Sequence, residues 1–136
     1  MSLRLAQEFA RLIDHQSFEE ASRLIAEDCK YHYSEGNYEG RKPIISIYRQ
    51  NYLQSQKIFD ELLCSSTVDE VSENTYKINF TDKIRKGPQW HTYHFYEILE
   101  CKDDLIIDIQ NCQISGEDES LRSFLVKFRN LPKGAI

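Results

Sequence analysis

Asp82, His91 and Glu97 are the residues of this chain best suited to moving a proton, and their spacing around one turn is what makes them candidates. Thr75 to Ile84 alternates as a strand does, with Tyr76, Ile78 and Phe80 on one face and Lys77, Asn79 and Thr81 on the other. Arg85-Lys86-Gly87-Pro88 turns the chain, and Gln89 to Glu100 reads as a long aromatic strand. A two-residue turn centred on Lys86-Gly87 predicts Phe80 opposite Tyr93, Ile78 opposite Phe95, Tyr76 opposite Glu97 and Asp82 opposite His91. That register gathers the apolar side chains of both strands on one side. It also brings Asp82 and His91 to a Cβ separation of about 5 Å. A carboxylate that accepts from one imidazole nitrogen leaves the other free as a base near neutral pH. The plainer reading is an exposed His–Asp pair at a strand end.

Glu97 is the second candidate. On the inward face it is a carboxyl among Tyr76, Tyr93 and Phe95, where desolvation raises its pKa. It then serves either as a proton carrier or as a structural hydrogen-bond partner of a tyrosine. A one-residue slip turns Trp90, His94 and Tyr96 inward instead, and the sequence leaves both sets open. Tyr31 and Tyr33 share one face of an earlier strand, as donors to a ligand carbonyl or as ordinary wall residues. Asn111, on the last strand, is an orienting amide or a bulge residue. His15 falls in an interhelical loop, and His32 faces away from Tyr31 and Tyr33. His91-x-x-His94 puts its imidazoles on opposite strand faces, so no metal site is expected.

Composition narrows the field. Aromatic residues make up 12% of the 136 residues, with eight Tyr and seven Phe. Tyrosine joins an apolar body to a polar tip, which suits a pocket wall as well as a core. A net charge of −5 and the lack of a basic stripe argue against nucleic acid. No apolar run is long enough to span a bilayer and no secretory leader is evident, so no membrane partner is expected. Cys29, Cys64, Cys101 and Cys112 are scattered without a C-x-x-C pair, which fits free thiols in a reducing cytoplasm.

The elements that must position these groups are legible in outline. Leu5, Phe9, Leu12 and Ile13 mark one face of a first helix. Ser17-Phe18-Glu19-Glu20 has the form of a capping box opening a second, with Phe18, Ala21, Leu24 and Ile25 on one side and an end near Asp28. An aromatic strand and a Gly-punctuated turn lead to Pro43, which starts a third helix bearing Ile44, Ile45, Tyr48 and Tyr52. Residues 59–68 read as a strand. Asp103-Asp104 is a turn, and Leu105 to Ile114 returns as a strand. Leu121, Phe124, Leu125 and Phe128 predict a helix over 118–130, followed by Pro132 and Gly134. No repeat or linker interrupts residues 1–136, which read as one domain.

This order resembles the nuclear transport factor two-like superfamily, in particular its SnoaL-like branch. The resemblance rests on Asp14-His15-Gln16-Ser17-Phe18 between helices, Tyr38-Glu39-Gly40-Arg41 before the third helix, and Tyr96-Glu97-Ile98-Leu99-Glu100 leading into Asp103-Asp104-Leu105-Ile106. It implies an α+β, cystatin-like fold: a cone-shaped, curved, mainly antiparallel (mixed) sheet with three helices on its concave side. The C-terminal helix is an addition to that pattern. The superfamily includes ketosteroid isomerase, polyketide cyclases, dehydratases and binding modules, so fold alone does not choose a function. The isomerase's catalytic positions correspond here to Phe9, to a residue within Tyr31 to Tyr33, and to His94 or Phe95, none of them a carboxylate. The expectation is a small-molecule pocket lined by Tyr31, Tyr33, Tyr76, Tyr93, Phe95 and Asn111, taking an apolar or aromatic ligand. Any reaction would be cofactor-free proton transfer with Asp82–His91 or Glu97 as the base. The alternative is a non-catalytic binding or interaction module. A homodimer is expected, and in the alternative it forms through the face bearing Lys77, Asn79, Thr81, Thr92, His94 and Tyr96, with the C-terminal helix covering the cone or docking a partner.

Overall fold

The computed structural model describes residues 2–128. Two helices, α1 (Ser2–Asp14) and α2 (Phe18–Ser22), precede the strands β1 (Ile25–Tyr33) and β2 (Gly36–Glu39). Helix α3 (Arg41–Ile58) is followed by β3 (Glu61–Ser72), β4 (Thr75–Lys86), β5 (Gln89–Lys102) and β6 (Leu105–Gln113), and α4 (Glu117–Val126) closes the series. The six strands form one curved sheet in the order β2-β1-β6-β5-β4-β3. It is mixed: β1 runs parallel to β6, and every other pairing is antiparallel. This is the α+β architecture expected, with helices packed on an unclosed sheet and an added C-terminal helix.

The main core lies between α1, α2 and α3 and the sheet. Phe9, Ile25, Ile44, Ile78, Leu99, Ile106 and Ile109 are all fully buried there. Burial alternates along β4, with Tyr76, Ile78, Phe80 and Ile84 inside, as a half-buried strand requires. A second, smaller cluster gathers Phe59, Ile84, Phe124 and Phe128 where α4 covers one end of the β4–β5 hairpin.

Several local expectations change. Helix α2 stops at Ser22, and Ile25 to Asp28 already belong to β1. The β-branched Ile25 pairs with Ile106 in the sheet, and that tertiary pairing overrides the helical periodicity. Ser17 makes no side-chain cap bond. The Gly-punctuated turn after Tyr33 forms the short strand β2, with Tyr31 opposite Tyr38. Residues 129–130 of the expected last helix, and Pro132 and Gly134 after it, lie outside the described residues.

The largest correction is to the hairpin register. Lys86 pairs with Gln89, so the turn is Gly87-Pro88 and not Lys86-Gly87. Gly87 has φ +60, which glycine tolerates, and a glycine followed by proline's fixed φ fits a two-residue hairpin turn. The Asp60 carboxylate accepts from the Gly87 amide at 2.7 Å and fixes the turn. Every partner therefore moves by two residues: Asp82 faces Tyr93, Phe80 faces Phe95, Ile78 faces Glu97, Tyr76 faces Leu99 and Ile84 faces His91. A two-residue shift leaves each side chain on its original face. The inward set is retained while the expected pairs are not.

Candidate active site

Glu97 is the focus of the concave face. It is fully buried, with a relative exposure of 0%. Asn111 lies directly opposite it on β6 and donates from Nδ2 to Oε2 at 3.2 Å. Tyr31, from β1 beyond β6, donates its hydroxyl to the same oxygen at 3.3 Å. Tyr48 reaches down from α3 and donates to Oε1 at 2.7 Å. The tyrosine rings support one another, with Tyr31 and Tyr48 edge-to-face at a centroid distance of 5.6 Å and Phe9 packed on Tyr48 at 5.8 Å. Burial pushes the Glu97 carboxyl up to about 7, and the three donors, Tyr48 first, oppose that rise. Tyr31 and Tyr48 are themselves held well above the ordinary tyrosine value by burial and by the Glu97 charge.

A cavity of about 120 Å³ opens beside this network. Tyr31, Phe95, Glu97, Asn111 and Asp82 line it, as do Asp14, Cys64, Phe80 and, from α3, Tyr48, Asn51 and Tyr52. Phe80 and Phe95 are stacked at 4.9 Å along its sheet side. The volume is well below the roughly 300–1,000 Å³ typical of pockets for drug-sized ligands. At the other end of the cavity from Glu97, Asp82 sits opposite Cys64 of β3, whose thiol is its hydrogen-bond partner. Burial pushes Asp82 up to about 6; the thiol opposes the rise, the Asp14 charge adds to it, and His94 opposes it weakly. Asp14, the last residue of α1, accepts from Ser66 at 2.6 Å through Oδ2, while its Oδ1 is buried without a hydrogen-bond partner.

The sequence-predicted residues divide accordingly. Tyr31, Asp82, Phe95, Glu97 and Asn111 meet at the cavity. Tyr33 packs beside Tyr31 at 6.1 Å, and Tyr76 is buried in the main core, but neither is on the cavity wall. Tyr93 donates to Asp118 of α4. His91 is not paired with Asp82: the shifted register puts it opposite Ile84, and it stacks on Phe124 at 5.1 Å with Nε2 buried and unpartnered. Of the alternative-register set, Trp90 is exposed and stands 5.9 Å from the Arg85 guanidinium, His94 accepts or donates toward Glu117 at 3.0 Å, and Tyr96 lies under Lys77. None of the three is inward. Sequence reasoning missed Asp14 and Tyr48. Tyr48 was visible only as part of an apolar helix face, and Asp14 only as part of the segment between the first two helices.

Burial pushes the Cys29 and Cys64 thiols up to about 12 and Cys101 to about 11, so none of these is a thiolate near neutral pH. Among the described residues no helix is long and apolar enough to cross a membrane.

No family model and no curated protein matches this sequence. Solved structures do match the fold. A candidate polyketide cyclase from Xanthomonas campestris superimposes with a TM-score of 0.67 at 12% identity, over 92% of this chain and 94% of that one. An LEH-like epoxide hydrolase from M. tuberculosis gives 0.65 at 13% identity, over 94% and 89%. An NTF2-like protein of unknown function from Exiguobacterium gives 0.62 at 11% identity, over 82% and 98%. These likenesses establish a nuclear transport factor two-like fold and go no further at such low identity.

Proposed function

We propose that this chain, built on the nuclear transport factor two-like fold, catalyses cofactor-free proton transfer on a small carbonyl compound, with Glu97 as the base. The observation that carries the reading is a fully buried carboxyl on a cavity wall, held by three donors and pushed up to about 7. A general base works best when its pKa lies near the working pH. A carboxylate offers about four acceptor sites. Tyr31, Tyr48 and Asn111 occupy three of them and fix its orientation, which leaves one lone pair for a substrate proton. Removal of a proton from a carbon next to a carbonyl would begin an isomerisation, a dehydration or an aldol-type cyclisation. The cavity's modest volume restricts the substrate to a small molecule, or to the reacting end of a larger one.

The test is deuterium uptake by small ketones such as butanone, followed by proton NMR in heavy water. Native protein should catalyse exchange with a rising limb near pH 7. Glu97→Gln should lower the rate about a hundredfold or more. Equal rates in the two proteins would overturn the assignment. A second reading, a binding module without turnover, draws on the near-complete hydrogen bonding of Glu97, which also suits a purely structural role. It predicts ligand binding with no exchange above background.

A further inference from the structure

A base that takes a proton from carbon leaves negative charge on the neighbouring carbonyl oxygen, and the rate depends on what receives that charge. Among the described residues that line the cavity none is Lys, Arg or His. The developing oxyanion therefore needs an uncharged donor with a hydrogen to spare. Most donors on the wall are already engaged. Tyr31 and Tyr48 give their only hydroxyl protons to Glu97. Asn111 gives one N–H to Glu97 and also donates to the Tyr31 oxygen. Burial holds Asp82 at about 6, so near neutral pH it is an acceptor, and the Cys64 thiol is its partner. The Gln16 amide is tied to the Asp14 backbone carbonyl at 2.6 Å, on the α1 side of the cavity. What remains lies on α3. Tyr52 turns its ring to Phe18 of α2 at 6.0 Å, and its oxygen accepts from Gln56. Asn51 and Ser55 line the cavity and make no side-chain hydrogen bond among the described residues. Tyr48, Asn51 and Ser55 are spaced three and four residues apart, so they share one helix face. Asn51 stands one turn beyond Tyr48, about 4.5 Å along the helix axis, beside the bond from Tyr48 to Glu97. Ser55 is a further turn away.

We propose that Asn51 is a catalytic residue, its side-chain amide donating to the carbonyl oxygen of the substrate while Glu97 takes the proton from the adjacent carbon. The role rests on the proton-transfer reading of Glu97, whereas the carbonyl contact can be observed without turnover. In the step itself the C–H electron pair becomes the C=C bond of an enolate and the carbonyl π pair moves onto oxygen. The proton goes to the free lone pair of Glu97, and Asn51 Nδ2 donates to the new oxyanion. The protonated Glu97 exchanges its proton with solvent and returns a deuteron to carbon in heavy water, which restores the ketone. Asn51 is exposed in the free protein, so its amide is hydrated there. The carbonyl oxygen replaces that water and reproduces its hydrogen bond, which keeps the exchange favourable. The substrate then lies with its carbonyl toward α3 and its reacting carbon toward β5.

The experiment pairs deuterium exchange of butanone with carbon-13 NMR of butanone labelled at its carbonyl. Asn51→Ala removes no bond within the protein and places the best helix former on an exposed helix position, so the variant should fold as the native protein does. It should lower the exchange rate about a hundredfold, the loss typical of one oxyanion donor, and the loss should fall on kcat more than on KM. Asn51→Asp, whose carboxylate cannot donate, should lose as much. The labelled carbonyl resonance should move downfield on addition of native protein or of Glu97→Gln, because the donor is present in both, and should not move with Asn51→Ala. Exchange by Asn51→Ala within about threefold of native overturns the proposal, as does a carbonyl resonance that native protein leaves unmoved or that Asn51→Ala moves equally. If exchange depends on Glu97 and not on Asn51, only this inference falls. If the carbonyl shift depends on Asn51 while native protein shows no exchange, the proton-transfer reading and the catalytic role fall together, and Asn51 remains as a carbonyl-binding residue.

Discussion

The β4–β5 hairpin runs through two regions of opposite character. Its inner stretch, with Ile78, Phe80, Phe95 and Glu97, lies beneath α1 and α3, where a buried carboxyl, two tyrosine hydroxyls and an amide share a small cavity. Its turn end, with Ile84 and His91, lies beneath α4, where Phe59, Phe124 and Phe128 pack together. The polar region costs stability, because burying an ionisable group is unfavourable even when it is hydrogen-bonded. The apolar region repays that cost through the removal of ring surface from water. Substitutions should therefore separate the two. At the α4 end they should change stability and little else, and at the Glu97 end they should trade function for stability.

The largest effect on stability is expected at the apolar end. Phe124 is 5% exposed and touches both His91 and Phe128. Phe124→Ala should cost about 3 kcal/mol in urea unfolding, by lost transfer energy and the void left behind. Ketone exchange measured well below the new melting transition should keep its dependence on Glu97. A loss of exchange equal to that of Glu97→Gln would show that the two regions are one unit.

The next effect runs in the opposite direction. The folded-state pKa of Glu97, about 7, lies above the ordinary glutamate value of 4.5. A raised folded pKa means that the folded protein holds the proton more tightly than the unfolded chain. Its stabilising contribution is complete below pH 4.5 and disappears as pH rises through 7. The difference corresponds to about 3 kcal/mol for this fully buried group. Asp82, also raised, adds a loss of the same sign between pH 4 and 6. Denaturation curves from pH 4 to 8 should show native stability falling, and Glu97→Gln should remove the part centred between pH 4.5 and 7. An identical pH dependence in native and variant protein would take Glu97 out of the account.

A smaller shift tests how the polar end is tuned. The Tyr48 hydroxyl gives Glu97 its shortest hydrogen bond, at 2.7 Å, and favours the ionised form. Tyr48→Phe should move the Glu97 titration upward by about one unit, in line with the roughly 1.5–3 kcal/mol of a hydrogen bond to a charged group. Tyr31→Phe, which removes a bond of 3.3 Å, should move it less. The reversed order would assign the dominant donor to β1 in place of α3.

How far these regions were legible in the sequence follows from what each depends on. Alternation left two inward sets open on β5, and the one with Glu97 and Phe95, facing Asp82's side of β4, survived a register error because two residues is one full repeat of the strand. The Asp82–His91 pair did not survive, since pairing depends on which of Lys86, Gly87 and Pro88 fill the turn. Tyr48 followed the same helical spacing as Ile44 and Tyr52, and nothing in that spacing distinguishes a core ring from one whose hydroxyl reaches a carboxylate. Asp14 read as part of the segment between two helices. Its place beside Ser66 depends on α1 crossing β3, a contact 52 residues apart in sequence. The pattern in Leu121, Phe124, Leu125 and Phe128 announced α4, but only the fold supplies the surface that it covers.

The smallest effect is expected on the polar contacts that accompany α4. Glu117 accepts from the His94 backbone amide at 2.6 Å and lies 3.0 Å from its Nδ1. The His94 side chain is 49% exposed, so its pair with Glu117 is screened by water and salt. His94→Ala should change stability by less than about 0.5 kcal/mol, and less still in 0.5 M salt, because exposed pairs of this kind gain little over their solvated state. The backbone bond to Glu117 survives the substitution and keeps the first turn of α4 in register. If α4 is held by Phe124 and its apolar neighbours, its amides should exchange with deuterium at nearly the native rate in His94→Ala and much faster in Phe124→Ala. Equal acceleration in both variants would give the His94–Glu117 contact a share in docking the helix and would end the division between a polar cavity and an apolar clamp.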